Sequence, residues 1–255
     1  MRLDDARSVR RLEDVRFLTG RGRYAEDFTL PGELRGYLVR SPHGHAAIDG
    51  IESAAARQAP GVLGVYTESD LRADGIGPLP CIAQVNTIDP LIVPPRYALA
   101  RGRVRHVGDP VALVVAETRD LARDAAELIA VDYRPLDAVA DAAAALSPGA
   151  PLVWDEAPGN LCYRFQRGDR EATEAAFAQA AHIVEIELIN NRLVPNPIET
   201  RAAIGSYDPA EDCLHLLLTG QGVHGTSAGS SPNGYSACRS NASRSWHPMS
   251  AAASV

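Results

Sequence analysis

The sequence predicts an α+β fold, and three stretches carry that prediction. Residues 34–66 read as strand, strand, short helix, strand. Residues 107–133 read as strand, helix, strand. Residues 201–219 read as a hairpin. The chain has 255 residues, with 45% apolar and 22% charged, which is ordinary globular usage. A chain of this make-up can bury a core.

In the first stretch, Leu34–Val39 and Ala46–Ile51 are the two strands. A helix over Ser53–Ala59 follows, with Ser53 placed to cap its free amides. Pro60-Gly61 ends it, and Val62–Tyr66 resumes in extended form. Ser69-Asp70-Leu71 starts another short helix, and Asp74–Pro95 reads as a Gly- and Pro-rich loop.

The second stretch is the clearest. Pro110–Ala116 is a continuous apolar run of strand length, suited to burial on both faces. Thr118 or Asp120 can cap the next helix, which sets Leu121, Ala125, Leu128 and Ile129 on one face. Ala130–Tyr133 is extended again, and Arg134-Pro135 closes the unit. Asp137–Pro158, rich in Ala and Pro, reads as a linker. Glu171–Ala181 has helical pattern, His182–Leu188 alternates as a strand, and Arg201–Tyr207 pairs with Cys213–Thr219 across Asp208–Asp212.

Charge and composition remove several classes of function. All 25 basic residues are arginine, against 32 acids, for a net charge of −7, which argues against a general nucleic-acid role. No apolar run approaches the ~18 residues of a membrane span. The N-terminus is charged and lacks a signal-peptide core, so the expectation is a cytoplasmic protein with no membrane partner. Cys81, Cys162, Cys213 and Cys238 form no CxxC pair and suggest neither a zinc nor an iron–sulfur site.

Four local patterns invite a chemical reading. His43 and His45, in Ser41-Pro-His-Gly-His45, could share a strand face as metal ligands. No third ligand is near in sequence, which favours a turn with a polar rim. Gly20-Arg-Gly22 lacks the third glycine, the preceding strand and the following helix of a dinucleotide site. The acid pairs Asp155-Glu156 and Glu185/Glu187 read as solvated surface. Gln221 stands between Gly220 and Gly222, directly after an apolar strand, where glycine lets a ligand approach the backbone. Pattern alone leaves open a strand-ending turn or a ligand site, and favours the turn. The sequon at Asn241 reads as chance without a secretory signal.

An ordered series of runs says more than any of these. Arg11–Asp27, Arg40–Ala46, Arg105–Thr118, Ala125–Leu136, Gly168-Asp169, Pro195–Ala203 and Tyr207-Asp208 together resemble the large subunit of the molybdenum hydroxylases. This is the xanthine dehydrogenase / aldehyde oxidase / aerobic carbon monoxide dehydrogenase family. The resemblance covers about residues 10–225. It implies an N-terminal arm (1–19), an α/β hammerhead domain (20–135), a linker (136–158) and an incomplete start of the molybdopterin-binding domain (159–225).

The resemblance also implies the chemistry. The cofactor would be molybdenum held by a pterin dithiolene, water would be the oxygen source, and electrons would leave to iron–sulfur and flavin subunits. Aldehydes, N-heterocycles or carbon monoxide would be the substrates. In such enzymes a glutamine just after this strand lies beside the metal centre, and Gln221 matches it, though its glycine neighbours depart from the usual pattern. No catalytic residue is assigned here, because the family's catalytic glutamate belongs to a later part. The 255-residue chain alone is expected to be inactive. The alternatives are a non-catalytic hammerhead interaction module and a pseudogene product.

The tail differs from the rest. No Asp or Glu follows Asp212, and Thr226–Val255 contains nine serines and no Leu, Ile or Phe. Codons taken one frame over, with TCN serines, force alanine at Trp246-His247, valine at Met249-Ser250, and phenylalanine or leucine at Tyr235-Ser236. With free choice at other third bases, the segment reads as an amphipathic helix, a turn, an apolar strand and a glycine-rich loop. Those are the family's next elements. The expectation is that Thr226–Val255 is out-of-frame translation, and that a disordered serine-rich tail is the alternative.

Overall fold

The computed structural model describes residues 11–81, 87–190, 193–210 and 213–219. In chain order the elements are α1 (Asp14–Leu18), β1 (Arg35–Arg40), β2 (Ala46–Glu52), α2 (Ala54–Arg57), β3 (Val62–Thr67) and α3 (Glu68–Ala73). Then come β4 (Arg103–Val104), β5 (Pro110–Ala116), α4 (Arg119–Glu127), β6 (Ala130–Pro135), α5 (Ala142–Ala145), α6 (Arg170–Gln179), β7 (Ala203–Asp208) and β8 (Cys213–Leu218). They fall into two compact units, one of residues 33–190 and one that joins the residues before 33 to those after 190.

In the 33–190 unit, β5 is the middle of a three-stranded antiparallel sheet of order β1-β5-β3. Its continuous apolar run suits that place, because both faces of β5 meet buried residues. Ala112, Val114 and Ala116 face a core shared with Ala56, Val65, Ala122, Ala125, Ala126 and Ile129. Val111 faces the other way and packs with Ala46 and Val104. The second sheet has order β4-β2-β6, so the strand–helix–strand β5–α4–β6 joins two sheets rather than lying within one.

Helix α4 is capped by Thr118, whose hydroxyl accepts the Leu121 amide at 3.2 Å. Its buried face is the expected one at Ala125 and Ile129, with Leu121 packed against the same core, and departs from it at Leu128. Ala122, Ala125 and Ala126 are buried, while Leu128 is 50% exposed. Alanines let a helix seat close to a sheet, and the bulkier Leu121 stands at the rim against Gly61.

Three other expectations are corrected. Ser53 does not cap α2; the Glu52 carboxylate accepts the Ala54 amide at 2.8 Å, and Ser53 Oγ accepts from Arg57 Nε at 3.3 Å. The helix is also shorter than expected, four residues. His182–Leu188 forms no strand. A strand exists through ladder bonds to a neighbour, and no described strand pairs with this segment, so Ile183, Val184, Ile186 and Leu188 are exposed. Helix α6 begins at Arg170 rather than Glu171, under Asp169, whose carboxylate accepts the Ala172 amide at 2.9 Å.

Segment 136–158 is tied down. Asp141 caps α5 through the Ala144 amide at 2.7 Å. The Asn160 side chain donates to the Ala145 and Pro151 carbonyls, each at 2.9 Å, and accepts the Val153 amide at 2.8 Å. In the other unit, β7 and β8 form the expected hairpin, from Ala203 opposite Leu218 to Asp208 opposite Cys213. Among the described residues no helix is long and apolar enough to cross a membrane.

Candidate functional site

The end of β8 is held by a buried carboxylate. Thr219 continues the ladder by donating its amide to the Ala202 carbonyl at 3.0 Å. Its hydroxyl lies 3.2 Å from Glu199 Oε1 and 3.2 Å from the Thr200 carbonyl. Glu199 is only 8% exposed, and the same Oε1 accepts the Ala25 amide at 3.3 Å. Ala25 is fully buried and opens a single 3-10 turn, Ala25–Asp27. Next to it, Thr200 Oγ1 donates to Glu26 Oε2 at 2.8 Å.

A carboxylate removed from water is costly unless its oxygens are hydrogen-bonded. Here one oxygen takes two donors from segments far apart in sequence, and hydrogen bonds to a charged acceptor are the stronger kind. The arrangement therefore ties the Ala25 turn to the exit of β8. Sequence reading missed Glu199 and Thr219 as a pair. The available signal was an acid inside Pro195–Ala203, a run otherwise mostly apolar or small.

Gln221, with Gly220 and Gly222, lies outside the described residues, as do Cys238, Asn241 and the whole of Thr226–Val255. Thr219 is the last described residue before Gln221.

His43 and His45 sit in a turn. Ser41 is buried, its Oγ accepts the His43 amide at 2.9 Å, and it donates to the His43 carbonyl at 3.1 Å. The His43 ring meets Tyr133 edge-on at 4.9 Å, and His45 Nδ1 lies 2.8 Å from the Asp137 carbonyl. A ring nitrogen facing a carbonyl is the protonated one, which fixes the tautomer. Burial pushes the Tyr133 phenol above its ordinary pKa, against a lowering contact from Ser41. Among the described residues no group of three or more His, Cys, Asp or Glu could hold a metal ion.

The remaining patterns are dispersed. Gly20 has φ +69° just after α1, and a Cβ on Gly22 would meet the Phe17 ring. Asp155 pairs with Arg103 at 3.1 Å, while Glu156, Glu185 and Glu187 are exposed. Cys81 and Cys162 are free thiols.

Comparison with known proteins supplies the context. Residues 19–137 match the aldehyde oxidase and xanthine dehydrogenase a/b hammerhead domain. Residues 153–231 match the molybdopterin cofactor-binding domain. The chain is 36% identical over 228 residues to the carbon monoxide dehydrogenase large chain of Afipia carboxidovorans, covering 84% of this chain and 27% of that protein. It is 37% identical over 216 residues to the nicotine 6-hydroxylase large subunit of Paenarthrobacter nicotinovorans, covering 85% and 26%. The crystal structure of a Cu,Mo-CO dehydrogenase superposes with a TM-score of 0.69 at 35% identity, covering 83% of this chain and 27% of that one. The chain thus spans about a quarter of the length of these relatives. Carrying a hammerhead domain followed by the start of a molybdopterin-binding domain, in the order the sequence runs implied, the chain belongs to the molybdenum hydroxylase large-subunit family.

Proposed function

We propose that this chain is the first part of the large subunit of a molybdopterin-dependent oxidoreductase. The full enzyme would oxidise or hydroxylate an aldehyde, an N-heterocycle or carbon monoxide with water as the oxygen source. The observation that carries this reading is the succession of the two family domains along one chain. When bound, the pterin-held molybdenum supplies the two-electron oxidation chemistry, and the protein supplies positioning and electrostatics. Of this chain's residues, Gln221 would face the metal centre, two residues beyond the Thr219–Glu199 anchor. Flavin and iron–sulfur subunits would be its partners, and the cytoplasm its compartment.

Residues 1–255 hold only a stretch that matches the molybdopterin-binding domain over 153–231, and we propose that a polypeptide of these residues by itself shows no turnover and no stable hold on the cofactor. Metal analysis and dye-linked oxidation assays on the purified chain test this. Molybdenum together with turnover of an aldehyde, a purine or carbon monoxide would overturn it.

We read Thr226–Val255 as translation out of frame. Its composition supports this, with no acid and nine serines, as does the shifted reading that yields the family's next elements. Sequencing the coding DNA across codons 215–260 decides it. If adding or removing one or two bases near codon 225 opens no family-like frame, the tail is genuine.

A further inference from the structure

We propose that residues 11–32 are a docking segment whose receptor is the β7–β8 hairpin and the Glu199-Thr200 pair before it, and that this contact holds without the peptide link at residue 32. Ala25 donates its amide to Glu199 Oε1 at 3.3 Å, and Thr200 Oγ1 donates to Glu26 Oε2 at 2.8 Å. Both bonds span the same 174 residues, so the two segments meet in step, 25 with 199 and 26 with 200. Each side supplies one donor and one carboxylate. Each carboxylate therefore meets a donor across the contact, and hydrogen bonds to a charged acceptor are the stronger kind.

Both sides are shaped by bonds of their own. In the segment, Asp27 Oδ2 accepts the Tyr24 amide at 2.7 Å, the Asp27 amide donates to the Tyr24 carbonyl at 3.0 Å, and the Arg23 guanidinium lies 4.1 Å over the Phe28 ring. These contacts close the Ala25–Asp27 turn locally and leave the Ala25 amide for an outside acceptor. In the receptor, Thr219 Oγ1 lies 3.2 Å from the same Glu199 oxygen, which ties the acceptor to the hairpin end. Two preformed parts lose little freedom on meeting.

The segment has no core of its own. Ala25 is the only buried residue among 11–32, it is fully buried, and its turn packs against β7. A terminal stretch of this kind stays ordered only where it is tied down. Residues 33–190 thus enter the chain between two segments that belong to one unit. The family match from 19 to 137 runs across residue 32 without a break, so contact divides here what sequence joins.

The test uses the full 255-residue chain and needs no cofactor. A protease recognition sequence is inserted between Gly32 and Glu33, where Gly32 is exposed and has open space around it. The chain carries a dye on its N-terminal amine and is cut under native conditions. Release of the 1–32 piece is then timed after dilution. The wild-type piece should co-elute with residues 33–255 in size exclusion. Glu199→Met should speed its release by about tenfold or more, and Thr200→Val by about threefold or more. Amide protection along Val111–Val115 of β5, measured before cutting, should stay at the wild-type level in both variants.

A wild-type piece that separates as soon as it is cut would overturn the proposal. So would release from Glu199→Met at the wild-type rate, which would mean that other contacts hold the segment. If Glu199→Met loses its β5 protection before cutting, Thr200→Val decides, because it removes only a hydroxyl at an exposed position. An unchanged release rate in that variant is then fatal.

Discussion

The guanidinium of Arg105 stacks on Trp154, its central carbon 3.5 Å from the ring centre. The same side chain donates from Nε to the Val153 carbonyl at 3.0 Å and from one terminal nitrogen to the Arg103 carbonyl at 3.2 Å. Burial lowers its pKa, and Arg103 adds to that, while Glu156, Asp109 and Asp155 oppose it. With Arg103–Asp155 alongside, the segment after α5 is clasped to β4 and the residue that follows it.

Lysine cannot reproduce a planar stack with a fork of donors. Arg105→Lys should cost about 1–2 kcal/mol and expose the Trp154 indole to water. Fluorescence in a Trp246→Phe background, which leaves Trp154 as the sole tryptophan, would show red-shifted emission and a lower unfolding midpoint.

Acid should loosen the start of α3. Burial of Asp70 by itself raises its pKa, but the Thr67 hydroxyl, the Thr67 amide and Arg57 outweigh it, and the carboxyl titrates below its ordinary value. Both Thr67 donors lie 2.7 Å from Asp70 Oδ2. A group with a lowered folded pKa stabilises above its unfolded pKa of about 3.9 and loses that contribution as pH falls through the folded value. Asp70→Ala should cost about 1 kcal/mol at neutral pH, as for a lost helix cap. In urea unfolding from about pH 6 down to about pH 2, the gap between wild type and variant should close.

Gly61 combines a φ of +70° with a crowded Cβ position, 2.6 Å from Leu121 Cδ1. Gly102 has a φ of +66° and open space around its Cβ position. Gly61→Ala should therefore destabilise by about 2–3 kcal/mol and Gly102→Ala by about 1 kcal/mol, the difference being the displaced Leu121. Equal costs in chemical denaturation would show that α4 accommodates the methyl freely.

The two faces of β5 line two clusters of buried residues, with the partly buried Ile51 and Val131 packed against both. Val111 and Val114 are both fully buried but belong to different clusters. Each truncation to alanine should cost about 1–3 kcal/mol. The double variant should be additive within about 0.5 kcal/mol. Coupling well above that in a double-mutant cycle would mean one continuous core.

What sequence made legible follows the range of the interactions. The Pro110–Ala116 run, the Thr118 cap and the β7–β8 hairpin are local patterns, and they stand as read. The turn at Ser41–His45 was likewise readable from its Pro and Gly. Partner choice is not local. Nothing in the strand–helix–strand pattern says that β5 and β6 enter different sheets, or that His182–Leu188 has no described partner. The cap of α2 went to Glu52 because a longer side chain can reach an amide two residues on. The Glu199–Ala25 contact bridges 174 residues and has no periodic signature. Family resemblance reached what periodicity could not in the order of the two domains, while its reading of Gln221 falls outside the described residues.

The position of β5 in the order of synthesis has a consequence for how the chain is made. Both of its partners precede it: β1 ends at Arg40 and β3 at Thr67, while β5 ends at Ala116. At about 5–20 residues per second, β1 leaves the ribosome roughly 4–15 s before β5, its ladder partner among the described residues, is complete. During that interval Tyr37, Leu38 and Val39 of β1, and Leu63 and Val65 of β3, carry unpaired strand edges. The nascent chain, rather than the finished domain, is the stage at which slow translation or a missing holdase would divert this protein into aggregates.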